Sequence, residues 1–166
     1  ENTPAIHFVL LGDGKEKPAL QERAEKLALK NLEFRASLPK TEMPAMIAAA
    51  DACIAILKPV EMYKTTYPNK VFDYMACAKP VVLAIDGVIR EVLEAARCGL
   101  FCKPGSPQKM SEAILKLYRD PSAARDMGLN GRRYLELHFD RAQIAGEFIK
   151  AVEDLVDGYG RKNIGC

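Results

Sequence analysis

No run of apolar residues in this sequence approaches the roughly 20 that a helix needs to cross a bilayer, and no basic-then-apolar leader opens it. The expectation is a protein that does not cross a membrane by itself. Charge of one sign is also missing, with 24 lysines and arginines against 22 aspartates and glutamates and a net charge of +2. Basic and acidic residues interleave, as in Lys15, Glu16, Lys17 and in Glu22, Arg23, Glu25, Lys26. That pattern reads as a solvated helix face held by weak local pairs, so no nucleic-acid partner is expected. Histidine is scarce: His7 and His138 stand far apart, and no metal site is expected. The cysteines, Cys53, Cys77, Cys98, Cys102 and Cys166, are odd in number and lack paired C-x-x-C spacing. They read as reduced, mostly core residues of a cytoplasmic protein.

Three sequence signatures of catalysis or nucleotide binding are missing as well. No serine, histidine and aspartate stand in nucleophile-elbow spacing, and Ser37, Ser106, Ser111 and Ser122 lie in unremarkable contexts, so hydrolase chemistry has no candidate. Gly12-Asp13-Gly14 follows an apolar run and precedes a helical pattern, which is the setting of a dinucleotide fingerprint. Lys17 occupies the place of the third glycine, and that fingerprint fails. No Gly-Lys-Ser/Thr follows, which removes the P-loop reading too.

What is present is an ordinary globular composition, 49% hydrophobic and 28% charged over 166 residues. A chain of that length buries roughly 70% of its unfolded surface, and a single core without staples is expected. Strand patterns at 6–11, 31–35, 52–57, 81–84 and 100–102 alternate with helical periodicity at 18–29, at 41–50 with Thr41 as its cap, from 70 until Pro80 stops it, and at 90–96. A loop spans 58–67. From Pro107 onward three helices follow, the second opened by Asp120-Pro121 and the third by Asp140 and running to about residue 156. Residues 158–166 have no period and read as a flexible tail after a domain of residues 1–157. Regular β-α alternation builds a parallel sheet flanked by helices, here with a helical C-terminal segment, and ligands then bind beyond the carboxyl ends of the strands.

The segment 68–82 carries the strongest chemical signal. At helical spacing Val71, Phe72 and Met75 fall on one side, while Lys70, Asp73, Tyr74 and Cys77 fall on another. One face packs, and the other offers a cation and a carboxylate just ahead of a buried strand.

Several further stretches, taken in order with that segment, carry a family resemblance. They are Leu11-Gly12-Asp13-Gly14, Asn31-Leu32-Glu33-Phe34, Leu38-Pro39, Ala49-Ala50-Asp51, Pro68 through Ala76, Lys79-Pro80-Val81-Val82, Gly87 with Glu91, Gly99 and Lys103-Pro104-Gly105. Together they resemble the carboxyl-terminal domain of glycosyltransferase family 4 over about residues 6–156. The resemblance implies a GT-B architecture of two Rossmann-like domains, of which this chain is one α/β half. It also implies a nucleotide-diphosphate sugar, in our reading a uridine one, held mainly by this half. Transfer would proceed with retention of configuration and usually without a bound metal or other cofactor.

By the same resemblance Asp73 matches the second acid of the family's Glu, seven residues, Glu signature, whose carboxylate accepts hydrogen bonds from the ribose hydroxyls. The first acid falls on Thr65, a departure that leaves the catalytic residues unassigned; Glu61 is the nearest acid and is out of register. Pro68-Asn69-Lys70 fits the Pro-x-Lys approach of bacterial relatives acting on N-acetylated amino sugars. Lys70 is expected to face the diphosphate, with Asn69 and the helix start adding to an anion site. Leu38 is expected to contact the base, with Ala36 replacing a usual glycine. Gly12 and Gly14 would let backbone approach the sugar donor, and Thr65 and Thr66 sit with Tyr63 and Tyr67 in the donor loop.

In the family an earlier strand, an Arg- and Lys-bearing loop and a whole acceptor domain precede the first residue here. The chain is therefore expected to be a donor-binding fragment, truncated at its N-terminal edge and inactive alone. Its partner would be the missing N-terminal domain, and the full cytoplasmic enzyme would build cell-surface polysaccharide or glycolipid, with peripheral contact at the inner membrane surface. The alternatives are a nucleotide-sugar 2-epimerase of the same fold and a non-catalytic nucleotide-binding module.

Overall fold

The computed structural model describes residues 5–162. Strand β1 (Phe8–Leu11), helix α1 (Lys17–Lys26) and strand β2 (Leu32–Arg35) open the chain, and α2 (Met43–Ala48) leads to β3 (Cys53–Ile56). A 3-10 turn (Glu61–Thr65), α3 (Asn69–Ala76), β4 (Val81–Ala84), α4 (Val88–Ala96) and β5 (Gly99–Phe101) follow. The helices α5 (Pro107–Arg119), α6 (Pro121–His138) and α7 (Arg141–Lys162) close it. Every strand pair is parallel, so the α/β class expected from the alternation is the one observed.

The core forms around β4, which is buried along its whole length. Successive strand side chains point to opposite faces. Val81 and Leu83 accordingly pack with Val71 and Met75 of α3 and Ile89 and Leu93 of α4. Val82 and Ala84 pack on the other side with Ala113 and Leu117 of α5 and Ala124 of α6. The sheet thus lies between two helical layers, which is why its strands read as apolar runs without polar alternation.

The N-terminal part differs from the expectation of one sheet and a single core. The strands form two separate parallel sheets, β1-β2 and β3-β4-β5. Helix α1 has no buried residue, and Val9, Leu10, Leu20, Leu27 and Leu29 are exposed. An apolar run predicts cover on both faces, and for β1 no element among the described residues supplies it.

Three local expectations are corrected. Thr41 does not cap α2: the helix starts after Glu42 with no side-chain cap and with Pro44 in its first turn, where proline's fixed φ favours helix and its missing N–H is no loss. The loop over 58–67 contains the 3-10 turn, which no periodicity announced. Helix α7 extends to Lys162, so residues 158–162 are helical where a tail was expected; residues 163–166 lie outside the described ones. The other caps stand as read. The Asp120 carboxylate accepts from Ala123 N–H at 2.9 Å, and that of Asp140 from Gln143 N–H at 2.9 Å.

Helix α3 is fixed at its C-terminal end. Its end closes with Ala78 N–H donating to Met75 C=O at 2.9 Å and Lys79 N–H to Tyr74 C=O at 3.0 Å, with Ala78 at φ 53°, the 6→1 and 5→2 pattern of a Schellman end. Gly128 of α6 packs onto the Ala78 carbonyl, and Arg132 Nη1 donates to Ala76 C=O at 2.8 Å. Cys98 and Cys102 are buried, and burial pushes the Cys98 thiol up to about 11, as expected for core cysteines; Cys166 lies outside the described residues. No helix among the described residues is long and apolar enough to cross a membrane.

Candidate functional site

Two groups of predicted site residues form at strand carboxyl ends. The first joins the loop after β1 to the loop after β2. Gly12 has φ 132°, a backbone setting that favours glycine, and a Cβ built on Gly12 or on Gly14 would meet nothing within 4 Å. Both therefore face open space. Asp13 between them accepts from Ser37 N–H at 3.2 Å and from Ser37 Oγ at 3.3 Å. Leu38, half-buried, follows immediately. A hollow of about 370 Å³ is lined by Gly12, Asp13, Gly14, Lys17, Leu20 and Phe34; Asp73 and Lys70 do not line it.

Lys17 was expected on a solvated helix face, and the structure places it inside this group. Its Nζ donates to Asp13 Oδ1 at 2.8 Å, to Gly12 C=O at 2.8 Å and to Arg35 C=O at 2.9 Å. The bond and charge of Lys17, together with the bonds from Ser37, hold the Asp13 carboxyl below its usual range. Two clues to this cluster were present in the sequence: a lysine where the fingerprint has glycine, and a cation at a helix N-terminus, where the dipole disfavours it unless acceptors are near.

The second group spans the 3-10 turn and α3. Asn69, Lys70 and Asp73 are exposed. The Asp73 carboxylate makes no hydrogen bond or ion pair among the described residues, whereas the neighbouring acids Glu61 and Asp86 pair with Lys64 and Arg90. Opposite it on the helix, Val71 and Met75 are buried, the division that the spacing predicted. The N-cap is Pro68 with no side-chain cap, which leaves first-turn N–H groups for other partners. Tyr74 turns inward from the polar side: its hydroxyl donates to Ile54 C=O at 3.4 Å, and burial pushes the phenol up to about 12, so it stays neutral.

Thr65 and Thr66 Oγ1 both reach Met62 C=O, at 3.2 and 3.5 Å. Those bonds brace the turn, and no acid stands at Thr65. Glu61 is exposed and tied to Lys64 at 2.9 Å. Tyr63 is half-buried, while Tyr67 packs on Phe72 with ring centroids 6.2 Å apart. Gly87, the residue just before α4, lies directly against the backbone of Lys64 and so sets where the turn sits. Glu91, exposed on α4, enters neither group. No hydrogen bond links the first group to the second among the described residues. No cluster of three or more His, Cys, Asp or Glu able to hold a metal is found among them either.

A solved structure shares this architecture, and other proteins are similar in sequence. Anabaena HepE in complex with UDP-glucose superimposes with a TM-score of 0.79 at 22% identity, over 92% of this chain and 42% of that one. The UDP-glycosyltransferase TURAN of Arabidopsis thaliana is 25% identical over 117 residues, 70% of this chain and 24% of the relative. The Bacillus subtilis protein EpsD is 25% identical over 160 residues, 96% of this chain and 38% of the relative. The chain thus spans less than half the length of each. The family model described as glycosyl transferases group 1 matches residues 1–120, and the chain belongs to that family.

Proposed function

We propose that this chain is the half of a retaining glycosyltransferase that binds a nucleotide-diphosphate sugar, with uridine as the nucleoside, and that it serves polysaccharide or glycolipid synthesis. The observation that carries the reading is Asp73: an exposed carboxylate with no partner of its own among the described residues, on a helix whose opposite face is buried. Carboxylate bonds to the ribose hydroxyls would contribute roughly 1.5–3 kcal/mol each. Lys70, one turn earlier, and the uncapped start of α3 supply positive potential for the diphosphate. Leu38 and the backbone at Gly12 and Gly14 form the wall for the base. That HepE was solved with UDP and with UDP-glucose supports uridine.

The exposed apolar residues of β1 and the separation of the two sheets support a second element of the reading. Chain outside these 166 residues completes the domain, and a further domain of the same polypeptide holds the acceptor. Sugar transfer requires both substrates in one geometry and stabilisation of the leaving diphosphate, so the 166 residues alone are expected to be inactive. The full enzyme is read as a bacterial, cytoplasmic protein in peripheral contact with the inner membrane surface.

Calorimetric titration of the full-length enzyme with UDP tests the reading. The expected result is binding that Asp73→Ala weakens by about tenfold or more. Absence of any nucleotide affinity, or an Asp73→Ala variant that binds as tightly as the parent, overturns it. Release of an epimerised sugar nucleotide without an acceptor would replace transfer with 2-epimerisation.

A further inference from the structure

We propose that Lys17 is a positioning residue for nucleoside recognition, joining the loops that carry Gly12, Gly14 and Leu38 into one wall. The inference rests on the sugar-donor-binding reading above. A lysine ammonium has three hydrogens to donate and no lone pair. Lys17 Nζ has three acceptors: Asp13 Oδ1 and Gly12 C=O at 2.8 Å, and Arg35 C=O at 2.9 Å. Its side chain is only 21% exposed. The charge is therefore spent inside the protein and is not offered to a phosphate.

The acceptors lie where the strands end. Gly12 N–H donates to Arg35 C=O at 3.3 Å as the last rung between the β1 and β2 segments. Beyond that rung the two chains are free to splay, and Lys17 ties the carbonyl of Gly12 on one side to that of Arg35 on the other. Asp13 carries the connection one step further, accepting from both the backbone N–H and the hydroxyl of Ser37. Leu38 is the next residue. A glycine at position 17 would bring backbone closer but supply none of these bonds. The side chain takes over the fixing of the loop, and the clamp ends one residue from the expected base contact.

A clamp on the base wall has a different signature from a contact to ribose. Asp73 would act on a group common to all nucleotides, so its loss lowers affinity for every base alike. Loss of the clamp loosens the wall that discriminates between bases. The experiment measures Kd for UDP, ADP and GDP with the full-length enzyme, comparing the parent, Lys17→Met, Asp13→Asn and Asp73→Ala, each checked for native circular dichroism. Lys17→Met keeps the aliphatic reach and removes all three bonds. The expected result is a loss of UDP affinity on the order of tenfold together with a narrower ratio of UDP to ADP and GDP affinity. Asp73→Ala lowers all three with the ratio unchanged.

Should Lys17→Met fail to fold, Asp13→Asn decides. It keeps the side-chain volume and the two carbonyl bonds of Lys17, and a smaller change of the ratio in the same direction is expected. An unchanged ratio in the folded variants, whether or not affinity falls, reduces Lys17 to a structural tie and overturns this proposal alone. A parent enzyme without affinity for any of the three nucleotides removes the sugar-donor-binding reading, and this inference with it.

Discussion

A Cβ built on Gly87 would lie 2.1 Å from the carbonyl oxygen of Lys64 and 2.5 Å from its Cα. The two backbones are in contact, and the 3-10 turn that carries Thr65 rests on the residue that starts α4. Gly87 itself has φ 95° and ψ −151°, a region that side chains other than hydrogen essentially do not enter.

Gly87→Ala is accordingly expected to destabilise the protein by about 1–3 kcal/mol from backbone strain alone, with the Lys64 clash in addition. Urea unfolding of parent and variant checks this. The variant is also expected to bind UDP more weakly, because the turn bearing Thr65 and Thr66 is displaced. An unchanged midpoint would mean that the turn does not rest on Gly87.

Two glycines in C-terminal helices separate packing from propensity. Replacing glycine by alanine inside a helix gains about 1 kcal/mol where nothing intervenes. A Cβ at Gly146 in α7 meets nothing within 4 Å, whereas one at Gly128 in α6 would lie 2.0 Å from the Ala78 carbonyl oxygen. Gly146→Ala is expected to stabilise, and Gly128→Ala to destabilise by roughly 1–3 kcal/mol through overpacking. Thermal unfolding of the two variants reads the opposite signs.

Helix α4 ends on Arg97 at φ 50°, with Cys98 N–H donating to Leu93 C=O at 3.2 Å and Arg97 N–H to Glu94 C=O at 3.2 Å. A left-handed residue with a Cβ costs about 1–2 kcal/mol that glycine avoids, offset in part by glycine's larger unfolded-state entropy. Arg97→Gly is expected to stabilise by roughly 0.5–1 kcal/mol, a rise of a few degrees in Tm for a chain of this size. A fall in Tm would show that the Arg97 side chain does something that its contacts do not reveal.

Acid should loosen the N-terminal unit first. Asp13 is held below its ordinary 3.8, chiefly by the hydrogen bond from Lys17, and Glu33 below its ordinary 4.5, chiefly by the bond from Arg35. A carboxylate whose folded pKa is depressed stabilises the fold above its unfolded value, and that contribution disappears as pH falls through the folded value. Stability is therefore expected to drop below those ordinary values, with a shallower slope in Asp13→Asn. Urea midpoints measured across that acid range check the slope; equal slopes would remove Asp13 from the account.

Much of this architecture was legible from residue spacing. Val71 and Met75 against Lys70 and Asp73 placed the two faces of α3, and Asp120 and Asp140 marked the starts of α6 and α7, because helix periodicity and capping are local effects. The helix over 41–50 was visible, but its first residue was not: Pro44 outweighed Thr41. Lys17 was misread as a surface charge, since its acceptors include a carbonyl 18 residues away, which periodicity does not register.

The order of apolar runs and turns by itself determined a parallel α/β chain with a buried strand at 81–84, because the alternation of strand and helix leaves little choice of topology. Only the tertiary structure decided that the strands fall into two sheets, that the backbone of Lys64 rests on Gly87, and that Lys17 is bound by three acceptors while the Asp73 carboxylate has none among the described residues. Those outcomes depend on which distant backbones meet, and a contact between residues far apart in the chain leaves no period in the sequence.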